Sequence, residues 1–198
     1  NYAQLGRIAL ISLVIAPLLL ADPSPDELKT KAEKGDPKAQ EQLGLIRLKG
    51  GSPKEAQKWF VMAADHFKQG ADSGDPEALF DRGKLLQKVA ACSYNFDEGK
   101  MASENQEAAF CFIKGAYKGH ALCQLFLANC YFFGQGVPQS DVEGMAWQLI
   151  STDSQKNPYM HESALDDQRR AELHIGAEKT ALAKVRSAEI AKEIKASH

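Results

Sequence analysis

The residues able to do chemistry are few and scattered. His161 and Glu162 form the opening of a zinc-protease helix, in which a second histidine must follow four residues after the first to share the metal. Position 165 is Leu165, so the second ligand is missing. His120 lies in a turn between two expected helices, where a structural role outweighs a ligand role, and His66 and His174 stand alone. Asp166 and Asp167 are adjacent carboxylates, but acid–base work needs a cleft that sets their proton affinities apart, and a solvated first turn of a helix is the simpler reading. Gly134-Gln135-Gly136 lacks the strand and third glycine of a dinucleotide cradle. The sequence contains no Gly-x-Ser-x-Gly elbow and no phosphate loop. No catalytic, metal-binding or cofactor-binding residue is expected, and neither is a cofactor.

Elements that hold no reaction must hold something else. The 198 residues are 44% hydrophobic and carry 24 basic against 26 acidic side chains, a formal charge of −2. That length and composition suit one domain with an ordinary core. The near-balance of charge argues against nucleic acid, whose recognition requires a basic surface to displace counterions. Four cysteines are too few for a disulfide scaffold in a chain of this length. At the N-terminus Arg7 precedes an apolar run from Ile8 to Leu20, followed by Ala21 and a polar, proline-rich stretch. This is the layout of a secretory signal, and the run is shorter than the roughly 20 residues a membrane helix needs. Residues 1–21 are therefore expected to be a signal peptide or a short anchor. The chain is then exported, periplasmic or extracellular, and meets a membrane only through that segment if it is not cleaved.

The rest of the chain repeats itself. Gly35-Asp36-Pro37, Gly74-Asp75-Pro76 and Gly119-His120-Ala121 align without gaps, and the residue nine after each glycine is Gly44, Gly83 or Ala128. A glycine closes one helix in a left-handed conformation, and the next helix starts two residues later. The small residue nine positions on lets neighbouring helices approach. A second motif recurs at Glu55-Ala56, Glu107-Ala108-Ala109 and Glu143-Gly144, each followed by aromatics on one helical face; Ser52, Ser103 and Asp141 are the expected N-caps. The aromatics Trp59, Trp147, Phe110, Phe112, Phe126 and Phe132 fall at helical spacing and are expected in the core.

The stretch Glu107–Pro138 resembles one complete Sel-one-like repeat, a relative of the tetratricopeptide repeat. It does so through Glu107-Ala108-Ala109, Lys114-Gly115-Ala116, Gly119-His120-Ala121, Tyr131 and the turn Gly134-Gln135-Gly136-Val137-Pro138. Ala128, Cys111 and Cys123 depart from the pattern, and the earlier units are more degenerate. The resemblance implies an all-α solenoid of stacked antiparallel helix pairs, about three repeats over residues 26–151. It also implies an adaptor that binds another protein; the alternative is an exported, envelope-active hydrolase on the same scaffold.

Helices are expected near 26–34, 37–49, 53–73, 77–90, 104–118, 121–133 and 141–151. Capping helices follow over 160–198, anchored by Leu173, Leu182, Val185, Ile190 and Ile194. Between Ala91 and Ser103 the second unit carries an extra stretch, read as a loop in which Tyr94, Phe96 and Met101 contact the partner. In a hairpin folded about Gly119, Cys111 is level with residue 127 or 128. Cys130 is thus its nearest candidate for a disulfide if the compartment oxidises, the other reading being four buried free thiols.

Overall fold

The computed structural model describes residues 24–93, 97–155 and 158–196. The proposed signal segment, Tyr94 and Phe96 lie outside the described residues. Helices α1 (Pro25–Glu33), α2 (Pro37–Lys49), α3 (Pro53–His66), α4 (Lys68–Ser73), α5 (Pro76–Ser93), α6 (Glu98–Tyr117), α7 (Ala121–Phe133), α8 (Asp141–Ser154), α9 (Pro158–Ile175) and α10 (Ala177–Ala196) follow one another. There is no strand among the described residues. Helices pack on partners one or two elements away in sequence, so the architecture is an all-α stack of helix pairs, as expected of a solenoid.

The three aligned glycines make one turn three times. Gly35, Gly74 and Gly119 have φ of 93°, 82° and 79°, a region closed to most side chains. Beyond each glycine an amide reaches back five residues: Asp36 to Lys31, Asp75 to Gly70 and His120 to Gly115, all with N···O distances of 2.9–3.1 Å. The residue after the glycine then caps the next helix, Asp36 Oδ1 accepting from Ala39 N at 2.9 Å and His120 Nδ1 from Cys123 N at 3.2 Å. Pro37 and Pro76 open their helices where no amide is needed.

The small residue nine positions later is a socket. A Cβ on Gly44 would stand 2.4 Å from the Phe60 ring, and one on Gly83 2.6 Å from the Phe112 ring. Both rings are fully buried. Each aromatic comes from the first helix of the following pair, so the socket fixes the distance between successive repeats. Five residues after the acidic residue of each second motif stand Phe60, Phe112 and Gln148. At the third unit the equivalent positions are Ala128 and Gln148, and Gly144 takes the Phe132 ring.

Four expectations need correcting. The single helix over 53–73 is broken at Phe67, where Arg82 Nη1 donates to Ala64 O at 3.0 Å and shares that carbonyl with the tightened last turn of α3. The amide of Phe67 bonds Ala64 O in a tighter turn instead, at 3.2 Å. The N-caps are shifted: Ser140, not Asp141, caps α8 through its hydroxyl and Glu143 N, and Ser103 lies inside α6, whose cap is Asp97. Ser52 does stand at the N-cap of α3 but its side chain makes no capping bond. Phe110 is 55% exposed, with the Lys114 ammonium 4.4 Å from its ring centroid, so it is not a core residue. Leu173, Leu182 and Val185 are also exposed, at 85%, 55% and 62%. The C-terminal helices are held by Ala164, Ala183 and Ile190, with Ile194 half-buried.

Polar bonds complete that attachment. Arg186 of α10 donates to Glu143 of α8 and to Glu193, and the Tyr117 hydroxyl of α6 donates to Glu193 at 2.8 Å. Tyr117 and then Arg186 hold the Glu193 carboxyl below the usual carboxylate range. Lys179 pairs with Asp141. These contacts run in the same order along α8 and α10, so the two helices are parallel and the α9 helix returns between their ends.

Candidate interaction surface

Of the residues singled out for chemistry, His120 and His161 are hydrogen-bonded within the stack. His120 accepts on Nδ1, so its proton is on Nε2, which lies 3.1 Å from Glu77 Oε1 and donates to it. The ring also lies 5.5 Å from that of Phe80. His161 Nδ1 is 2.9 Å from Thr152 O, a bond only a protonated nitrogen can make. Asp166 and Asp167 are exposed within α9 rather than in a first turn, each paired with an arginine three residues on. No group of three or more metal-ligating side chains gathers among the described residues.

The four cysteines are buried free thiols. Cys123 packs against Gly115, where a Cβ would meet its Sγ at 2.3 Å. Cys130 Sγ accepts from Gln87 Nε2 at 3.6 Å, whereas Cys111 lies toward Arg82 and Glu107. Burial pushes Cys111 and Cys130 up to about 11 and Cys123 to about 12. A thiol so protonated is a poor nucleophile at neutral pH. We expect Cys111, Cys123 and Cys130 to resist alkylation at pH 7.5 in the folded protein and to react on unfolding. Mass spectrometry of natively exported protein, alkylated under denaturing conditions without reductant, reads both this and the pairing. Four labels mean free thiols; labels on Cys92 and Cys123 alone mean a Cys111–Cys130 bridge. Linkage adds a pH signature. A thiol raised above its ordinary value of 9.0 contributes stability that is present below pH 9 and lost as pH climbs toward about 12.

The stretch read as a partner-contacting loop is helical over its described residues apart from the cap residue Asp97. Ala91, Cys92 and Ser93 extend α5, with Cys92 and Ser93 buried, and residues 98–103 form the first turns of α6. Met101 therefore presents from a helix. It lines a cleft of about 410 Å³ with Asn105 and Gln106 of α6 and with Val137 and Pro138 of the α7–α8 connection. Gly136 makes this wall possible: its φ is 76°, and a Cβ there would lie 2.1 Å from Asn105 O. The other side of the same connection carries a second cleft of about 410 Å³, lined by Phe132, Phe133, Gln139, Arg170 and His174 among others. Phe133 is 71% exposed. Sequence reasoning missed this second cleft, because Phe132-Phe133 reads as the end of an apolar helix and nothing in the sequence brings α9 beside it.

A turn closed three times by glycine, followed twice by a glycine socket for the next pair's aromatic, is the repeating unit of the stack. The chain is similar to Sel-one-like repeat proteins. Among solved structures, a protective antigen of uropathogenic Escherichia coli strains with an SLR (Sel-one-like repeat) fold is 20% identical, over 90% of this chain and 44% of that chain, with a TM-score of 0.40. A Sel-one repeat protein from Oxalobacter formigenes is 24% identical, over 83% of this chain and 55% of that chain, with a TM-score of 0.42. The chain thus spans about half the length of these two proteins. No family model matches it, and no curated protein matches it. Its stacked helix pairs make a helical scaffold, and no helix among the described residues is long and apolar enough to cross a membrane.

Proposed function

We propose that the chain is an adaptor that binds another protein through the solenoid surface around the α7–α8 connection. One observation carries this reading: two clefts, one holding Met101 and one holding Phe133, flank a single connection. An exposed aromatic in a cleft is a desolvation site awaiting a side chain, and such anchors dominate protein interfaces. The layout of residues 1–21 supports a partner in the periplasm or outside the cell.

The test uses a photo-crosslinking amino acid at position 101 or 133 of the chain, expressed in its host. A single crosslinked protein from the envelope fraction, obtained from both positions, is the expected result. Met101→Glu and Phe133→Glu should then weaken binding of that purified protein at least tenfold while leaving Tm within a few degrees. Absence of a common crosslinked protein, or binding unaltered by either substitution, overturns the proposal. Turnover of envelope substrates by the purified chain would favour the hydrolase instead.

A further inference from the structure

We infer that α10 pairs with α10 of a second copy of this chain, antiparallel about a two-fold axis at Val185. The first helices α3, α6 and α8 each pack on the preceding pair on one side and on their own second helix on the other. The α10 helix runs parallel to α8 and buries Ala183 and Ile190 against the stack. No following helix covers its other side among the described residues. That side carries an apolar centre rather than an all-polar surface. It shows Glu178, Leu182, Val185, Glu189 and Lys192, spaced four, three, four and three residues apart, which is one continuous stripe on a helix. Leu182 and Val185 at its centre are more than half exposed.

Charge selects both the occupant and the register. A second α10 laid antiparallel reproduces the helix-against-helix packing the repeat uses internally. With Val185 opposite Val185, residue 178 of one copy faces residue 192 of the other. Glu178 then meets Lys192 twice, once at each end of the apolar centre, and Leu182 meets the small Ala188. Sliding the pair so that Leu182 faces Val185 would instead set Glu178 against Glu189, which is repulsive. Neither Glu178 nor Lys192 has an ion-pair partner among the described residues, so both are available to an incoming helix. The stripe is short, and the interface it makes falls below the roughly 1,200 Å² of a stable complex, which points to a Kd of roughly 0.1 mM.

The inference is independent of the adaptor reading, since its stripe on α10 shares no residue with the Met101 and Phe133 clefts. Sedimentation equilibrium of the full chain, from about 10 μM to about 1 mM, reads it directly. We expect reversible monomer–dimer association, abolished by Leu182→Lys without change in Tm because that side chain already faces water. Glu178→Lys alone and Lys192→Glu alone should each weaken association at least fivefold, and the two together should restore it. A chain that stays monomeric throughout leaves this face to a different partner and overturns the inference. So does association that survives Leu182→Lys, or a double reversal that fails to restore what each single reversal removed.

Discussion

Phe112→Ala should lower stability by about 3–5 kcal/mol, the largest loss expected from a single substitution here. The ring is fully buried and fills the Gly83 socket between the second and third helix pairs, and it also lies 5.2 Å from the Phe126 ring. Truncation leaves a cavity between two helices whose backbones are already as close as their side chains allow, so collapse can recover little. The converse change fills the socket. Gly83→Ala puts a methyl 2.6 Å from the ring, and overpacking of this kind costs about 1–3 kcal/mol, even after adding the small gain in helix propensity. Because ring and socket are one contact, the pair Gly83→Ala with Phe112→Leu should cost at least 1 kcal/mol less than the two single losses combined. Urea unfolding of the four proteins measures this; strict additivity would show that the socket does not set the spacing.

Arg82→Met should cost about 1–3 kcal/mol and also change the shape of a helix. The guanidinium is 7% exposed and joins three elements: it donates to Ala64 O, pairs with Glu107 of α6 and lies 3.6 Å from Asp65. Glu107 and Asp65 are 47% and 66% exposed, so water re-solvates them when Arg82 is removed. The loss is then smaller than for a fully buried pair. Met keeps most of the aliphatic bulk, which isolates the bonds from packing. With Ala64 O released, α3 should run on through Phe67 into α4. A crystal structure of Arg82→Met in which the break at Phe67 persists would refute Arg82 as its cause.

The sequence made the fold legible wherever a residue type is the only one that fits. Gly35, Gly74 and Gly119 needed no structure to be read as turns, because little else tolerates their backbone. Gly44 and Gly83 could be read as close approaches, though not which ring each receives. The extra stretch after Ala91 was misread because the repeat comparison measured its length but not its conformation. Nothing from Ala91 to Ser93 stops α5, and Asp97 supplies a cap earlier than Ser103. Leu182 and Val185 were misread for a different reason. Periodicity tells which residues share a helix face, but not which face has a neighbour, and α10 has two candidate faces. The cleft at Phe133 depends on where α9 returns, which is a property of the α8–α9–α10 arrangement and not of any local motif.

The first helix pair has a core of its own. Leu28, Ala32, Ala39 and Leu43 form a cluster separate from the main one, with Trp59 half-buried against it. Beyond the Phe60 ring seated in Gly44, Glu41 holds the pair to α5 by ion pairs with Lys84 and Lys88 at 3.5 and 3.2 Å. Such bonds at a partly exposed seam are weak and are screened by salt. Amide hydrogens of α1 and α2 should therefore exchange through an opening that leaves the later helices closed, and at a rate that rises with ionic strength. Tension applied from the N-terminal side would peel this pair away first. A chain tethered there would yield one step of extension before the rest of the stack felt the load.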